Sequence, residues 1–515
     1  MKITSQTLLL LSFMGLLLTT HAYHPSHGCE HRPHNEAVDL VEVEQEPLPS
    51  ASQRLLATST TTSYPQIRIT ADYTNLLEGS TEFISYVKTE LMPAVIDYFQ
   101  AAFQIKQAVS GTIKLSSTTK TVCGYTTPSA LWTGASTDYF LVVSSESDTT
   151  SSWVASAGAC YLASGTKRPI IGTMLFNLYY TTAPNGDALI HEKNMYLTMH
   201  EMLHALGFTM SSFKNFIDAD GNTLTNQFSY YMLDGSNRTI LNVEPLTTKL
   251  RDHFGCSTLP GAFLENDGGS GTAGSHFERR HFLYEAMTSG VIQGLRLSEF
   301  SFAVMEGSGW YMPNYTYADP FFVGKGEGCG FLYTSCSSSS ILNYKDFCGT
   351  ASSRGCGIVG VAGGVCSSDT RSDGCKYYIP VLQYHCENAD ATSYARLSKY
   401  ESYGRTVGSK CFNGNLTTSS ATSNTSMCFK YQCNGSGSST TLKVYFGSGY
   451  FTCKAESTLK ISGFSGYFQC PDPETFCETV GLSYCRLGCS GRGTCVDDEC
   501  VCNDGYTGID CAMNE

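Results

Sequence analysis

Long apolar runs are nearly absent from this chain. The one of note, Leu8 to Leu18, sits behind Lys2 at the N-terminus and is too short to read as a membrane span. Thr20-His21-Ala22 follows it as a small-residue cleavage site, so residues 1–22 read as a secretory signal peptide. The next apolar stretch, Gly357 to Val365, is shorter, glycine-rich and bracketed by cysteines. No hydrophobic tail precedes Glu515, so neither a transmembrane segment nor a lipid-anchor signal is expected. Positive charge is scarce as well. Lys and Arg number 33 against 46 Asp and Glu, for a net charge of -13. With no basic stripe interleaved with aromatics, a nucleic-acid partner is not expected. Residues 23–60 are poor in bulky apolar side chains, running from acidic Glu42–Glu46 into a Ser/Thr-rich stretch. A removable, flexible propeptide fits that composition.

Cysteine, by contrast, is abundant. Twenty-three cysteines fit an oxidising, extracellular compartment, and the odd count singles out one of them. Cys29 stands alone in the propeptide segment, leaving 23 − 1 = 22 as an even set. A lone thiolate there could fill the open position of a zinc site as a latency switch. It could also be an unpaired or intermolecular cysteine, and the nearby His24, His27, His31 and His34 could bind metal weakly. Three cysteines (Cys123, Cys160, Cys256) lie in the N-terminal half, thirteen between Cys329 and Cys477, and six between Cys485 and Cys511. If the last six close among themselves, three and thirteen are both odd, so at least one bridge must join the first two groups. At 515 residues and 42% hydrophobic content, the chain is large enough for several folded domains.

The most informative motif is His200-Glu201-Met202-Leu203-His204. On a helix, imidazoles at i and i+4 share a face and can reach one metal ion, with the glutamate beside them as a general base. The spacing predicts a helix over Ala188–Leu206, free of Pro and Gly, capped by Asp187 and stopped by Gly207. A catalytic zinc site normally needs a third protein ligand. The compact pattern would place it three residues after Gly207, where Met210 stands. Either the site is dead or an insertion separates the glycine from its histidine. The glycine-rich run from Gly268 to His276 favours the insertion, and Tyr284-Glu285-Ala286-Met287-Thr288 follows as a candidate methionine turn. His253 and His281 compete with His276 for the third position. His281, next to Arg279 and Arg280, is expected to face solvent. His191 lies roughly two and a half turns before His200 and cannot share its metal.

These segments, HEMLHALGF (200–208), RDHFGCSTLPGAFLENDGGSGTAGSHFERR (251–280) and YEAMTSG (284–290), resemble the leishmanolysin family of zinc metalloendopeptidases, whose metzincin motif is split by an insertion. The resemblance runs from about Ile67 to Cys470. It implies one catalytic Zn2+ held by His200, His204 and His276, Glu201 as general base, Met287 in the methionine turn, His253 as a structural residue, and protein or peptide substrates. It also supports Cys29 as the latency switch and implies bridges Cys123–Cys160 and Cys256–Cys329. Absence of an anchor signal departs from the family's surface-anchored members.

The resulting expectation is an α+β fold. A metzincin-type mixed sheet with the zinc-binding helix would occupy 61–207, an insertion 208–275, and the third ligand, methionine turn and a helix around Leu297–Glu306 would fill 276–320. Gln66–Thr70, Tyr139–Val143 and Pro169–Leu175 read as strands, and Phe83 to Tyr98 as a helix that Pro93 would kink. By resemblance, Gly165–Asn177 is the candidate edge strand for substrate. A disulfide-rich, β-rich domain is expected over 321–480. The tail, 481–515, resembles an epidermal-growth-factor-like module, which implies bridges Cys485–Cys495, Cys489–Cys500 and Cys502–Cys511. That module could bind a surface or matrix partner or act as a spacer. Asn237, Asn314, Asn415, Asn424 and Asn434 head glycosylation sequons. The leading expectation is a secreted or peripherally surface-associated zinc endopeptidase; the rival is a catalytically silent adhesion protein built on the same scaffold.

Overall fold

The computed structural model describes residues 39–48, 64–269, 271–368, 370–388, 397, 399–404, 408–418 and 425–515. The expected signal segment, Cys29 and the stretch 58–63 lie outside them.

A mixed five-stranded sheet forms the first layer. Its strands are β1 (Asp39–Val41), β2 (Ile69–Asn75), β3 (Tyr139–Glu146), β4 (Ala155–Ala163) and β5 (Pro169–Asn177), in the order β1-β4-β5-β3-β2. β2, β3 and β5 run parallel, whereas β4 is antiparallel to β5. All nine residues of β5 are buried, as a continuous apolar run in a central strand should be. This corrects the expectation for Gly165–Asn177: β5 lies between β4 and β3, and beyond β4 only the three-residue β1 follows. The flank of β4 is in turn partly covered. Asp39, Leu40 and Val41 pair in parallel with Tyr161, Leu162 and Ala163. Part of the segment expected to be flexible is therefore an ordered strand, held by backbone pairing that its composition does not advertise.

Two helices pack on this sheet. α1 (Thr81–Tyr86) continues through a π-helical turn, Val87–Leu91, into α2 (Met92–Ala102). The wide turn immediately precedes Pro93, which lacks an N–H donor, so the helix absorbs the proline without ending. α3 (Ala188–Leu206) starts where the Asp187 carboxylate accepts the Leu189 and Ile190 N–H groups and stops at Gly207, φ 124°. A side chain at Gly207 would also press on Trp310, 3.0 Å from where its Cβ would lie. The last carbonyls of a helix have no partner within it. Here Tyr139 Oη donates to Ala205 O and Tyr311 Oη to Leu206 O, both at 2.9 Å, which fixes the end of α3 to β3 and to the chain beyond the insertion.

The insertion contributes a hairpin, β6 (Phe228–Leu233) with β7 (Ser236–Leu241), and α4 (Leu246–Phe254). Cys256 is bonded to Cys329, the link between the first two cysteine groups that parity requires. α5 (Glu299–Gly307) follows, capped by Ser298.

Beyond residue 320 the chain is β-rich. A three-stranded antiparallel sheet (Arg354–Cys356, Ala362–Ser367, Tyr377–His385) precedes a four-stranded one (Ser409–Asn413, Ser426–Asn434, Thr441–Phe446, Gly449–Cys453). Phe412, Phe429, Phe468 and Phe476 form the second sheet's own core. Six bridges, Cys336–Cys375, Cys348–Cys366, Cys356–Cys411, Cys386–Cys428, Cys433–Cys477 and Cys453–Cys470, pin these sheets. The last six cysteines pair among themselves, 485 with 495, 489 with 500 and 502 with 511. Their module is not a projecting spacer. Leu487 and Ala512 enter the same apolar core as the peptidase half, and Arg492 pairs with Asp97 of α2 at 2.9 Å.

Candidate metal centre

Helical spacing brings His200 and His204 together, and the structure adds a third ring from 72 residues further along. His200 and His204 approach Nε2 to Nε2 at 2.9 Å, while His276 Nε2 lies 3.2 Å from that of His204 and 3.3 Å from that of His200. All three rings are buried. Each Nδ1 is within hydrogen-bonding distance of a main-chain carbonyl: His200 with Ala286 O at 2.7 Å, His204 with Phe208 O at 2.6 Å, His276 with Thr272 O at 2.9 Å.

Those carbonyls decide the tautomers. A carbonyl oxygen only accepts, so each Nδ1 carries the proton and each Nε2 presents a lone pair. Burial also holds His200 neutral, pushing its imidazolium down to about 4. Three lone pairs converging at these distances repel one another unless a cation lies between them. A tetrahedral zinc with bonds of about 2.05 Å sets its nitrogens roughly 3.3 Å apart, close to the observed triangle. The donor set therefore fits a zinc ion, with the outer-shell carbonyl partners that histidine ligands usually have. Glu201, next to His200, is buried as well.

The loop delivering His276 is tied down on both sides. Glu265 N donates to His276 O at 2.9 Å, and Gly274 N to Glu265 O at 2.8 Å. Met210, which occupies the third-ligand position of the unsplit pattern, instead meets this loop: its N–H donates to Ser275 Oγ at 3.1 Å. Gly274 has φ +79°, a conformation that favours glycine, and a Cβ there would fall 2.5 Å from Met210 Cε and displace that side chain. The insertion thus returns to the point from which it left.

Met287 is buried, and its carbonyl accepts from Phe277 N at 2.9 Å, placing the turn directly against the residue that follows His276. Glu285 had no role in the sequence reading and has one in the structure. Its carboxylate accepts from Met287 N, Ser298 N, Ser298 Oγ and Ser301 Oγ, locking the turn to α5. Burial outweighs these donors and pushes its acid up to about 7. A glutamate two residues before the methionine was the only available sequence signal.

The competing histidines sit elsewhere. His191 contacts Tyr86 Oη through Nδ1 at 3.0 Å, and His253 bonds to Val323 O through Nε2 at 2.8 Å. His281 is a correction: it is buried, not solvent-facing, with Nε2 2.9 Å from Leu332 O. Burial and the neighbouring Arg280 push its imidazolium well down. The arginines beside it suggested a surface, yet Arg279 and Arg280 are themselves buried, with Glu278, Asp373 and Asp234 acting on the charge of Arg280. Cys123 and Cys160 are bonded to each other, remote in sequence from the imidazoles.

In this α+β chain two helix imidazoles and one loop imidazole converge beside the Met287 turn into a donor set for one metal ion. The leishmanolysin family model matches residues 81–380, and a tenascin-type EGF domain model matches 484–512. The chain belongs to the leishmanolysin family. It is 24% identical over 406 residues to a leishmanolysin homolog of Crithidia fasciculata, covering 73% of this chain and 59% of that protein. It is 30% identical over 309 residues to the ciliated left-right organizer metallopeptidase of Mus musculus, covering 55% of this chain and 42% of that protein. It is 33% identical over 211 residues to a leishmanolysin-like peptidase of Caenorhabditis briggsae, covering 35% and 31%. The chain thus spans less than half the length of the last two relatives.

Proposed function

We propose that this chain is a secreted, zinc-dependent endopeptidase of protein substrates. The observation that carries this reading is the triangle of three buried Nε2 lone pairs, each set by a carbonyl at Nδ1. His200, His204 and His276 would hold the ion. When bound, zinc would supply Lewis-acid polarisation of the scissile carbonyl and acidify the attacking water.

The remaining steps belong to the chain. Glu201 accepts the proton of the attacking water and passes it to the leaving amine, so one carboxylate serves as base and then as acid. Its burial strengthens every electrostatic interaction it makes. Met287 supports the site from below without ligating. An extended substrate pairs with the free edge of β4 by strand addition, since β1 pairs with that strand only at Tyr161, Leu162 and Ala163. The pro-segment shares this edge, and Cys29, ten positions before Asp39, is the proposed latency thiolate. The bridges support an oxidising, extracellular compartment for the mature chain. Among the described residues no helix is long and apolar enough to cross a membrane.

The test is a peptide-library digest with the chain freed of residues 23–60, before chelation, after it, and after zinc is restored. Cleavage that disappears and returns supports the reading; cleavage indifferent to the chelator refutes it.

A further inference from the structure

Tyr196 precedes His200 by four residues and His204 by eight, so it continues the helix stripe that carries both imidazoles. Its hydroxyl donates to Asp319 Oδ2 at 2.7 Å. The same oxygen accepts Leu297 N at 3.1 Å, on the segment between the methionine turn and α5. The other carboxylate oxygen accepts Leu487 N at 3.2 Å, and Leu487 belongs to the EGF-like module. Tyr196 is 2% exposed and Asp319 3%. One buried carboxylate therefore joins the zinc-binding helix, the chain beyond the methionine turn, and the module.

Two further features show that this junction is built. Leu487, Gly488, Cys489 and Ser490 all have φ between 49° and 58°, a left-handed turn that L-residues hold only where the surroundings enforce it. It is enforced here, since the Leu487 side chain lies in the peptidase core. Beside it, Arg486 reaches Glu192 of α3 at 2.9 Å and Glu387 of the cysteine-rich region at 2.6 Å. Both ion pairs are nearly buried, with side chains 10–12% exposed. Such desolvated pairs depend on good geometry and weaken sharply when one partner is removed.

We propose that the EGF-like module is an internal brace of the zinc-binding helix, with Asp319 as the positioning residue that couples the module to Tyr196 and so to His200 and His204. The inference rests on the zinc-peptidase reading above and assigns the module a task within that site. Detaching the module, or cutting the Tyr196–Asp319 link, loosens the imidazole pair without touching it.

The experiment uses the full chain with all its bridges. Zinc loss to a chromophoric chelator, thermal midpoint, and kcat and KM on a cleaved peptide are measured for Tyr196→Phe, Arg486→Gln, the double variant, and Tyr403→Phe. The last removes a tyrosine–carboxylate hydrogen bond of the same kind, to Glu401 Oε2 at 2.9 Å, within the cysteine-rich region. Tyr196→Phe is expected to release zinc about tenfold faster, at the low end for loss of an outer-shell partner, with kcat lowered and KM unchanged. Arg486→Gln should act in the same direction, and the double variant should fall short of the product of the singles, because both act through one coupled network. Tyr403→Phe should lower the thermal midpoint alone.

Zinc release at the wild-type rate in Tyr196→Phe and Arg486→Gln, with only the midpoint lowered, overturns the brace. Effects that simply multiply in the double variant also overturn it. A wild-type chain that holds no zinc overturns the peptidase reading, and this inference with it, so the two failures are told apart in the wild-type sample.

Discussion

The Nδ1 of His200 lies 2.7 Å from the carbonyl oxygen of Ala286, the residue immediately before Met287. The turn supplies the acceptor that fixes the tautomer of the first imidazole, while its Met287 carbonyl accepts the N–H that follows His276, at 2.9 Å. Imidazoles from two distant segments are thereby set by one turn.

Loss of His276 should deplete zinc without unfolding the chain. His276→Ala is expected to weaken zinc by more than about 100-fold, the upper end for loss of a mere outer-shell partner. His281→Ala, which empties a buried position bonded to Leu332 O, should keep zinc and lower the melting temperature. Metal analysis after dialysis, beside thermal denaturation, separates the two; equal zinc content in both variants would remove His276 from the ligand set.

Glu285 should make the site's stability depend on pH. Its carboxyl is raised from 4.5 to about 7 by burial, so the folded state holds the proton more tightly than the unfolded chain. That contribution, roughly 3 kcal/mol, is complete below about pH 4.5 and is lost as pH rises through about 7. Glu285→Gln should flatten the fall in stability across that window in urea titrations. An identical pH profile in the variant would refute the assignment.

Pairing of the pro-segment with β4 should contribute to latency. Leu40 is 53% exposed, so its side chain matters little and its backbone is what pairs. Leu40→Pro in the unprocessed chain should raise basal peptide cleavage severalfold by releasing the pro-segment from the β4 edge beside the substrate's pairing stretch. Unchanged latency would leave β1 as scaffolding.

The Cys256–Cys329 bridge closes 73 residues of sequence separation, for which chain entropy gives about 4 kcal/mol. Replacing both cysteines with serine should lower the denaturation midpoint accordingly. A shift under about 1 kcal/mol would mean that the packing of α4 already restrains the loop.

What was legible in the sequence followed local chemistry. α3 could be read from Asp187 to Gly207 because cap, periodicity and stop agree. β5 was visible as an apolar run, but its place in the sheet was not, because periodicity does not order strands. β4, written largely in Ala, Ser and Gly, carries almost no strand signal and exists through pairing with β5. β1 is three residues long and is defined only by the edge it meets. Adjacent arginines usually mark a surface, whereas here Asp234 and Asp373, distant in sequence, join Glu278 in acting on the buried Arg280, and His281 is buried with it. Asp319 gave no local cue, since its three donors come from segments far apart in the chain.

The most direct test of the central claim is peptide cleavage by the zinc-loaded, pro-segment-free chain compared with Glu201→Ala at equal zinc content. The account predicts cleavage by the parent, and a loss of at least about 100-fold in kcat in the variant with zinc still bound. Equal turnover by the two proteins, or none by a folded and zinc-loaded parent, would contradict it.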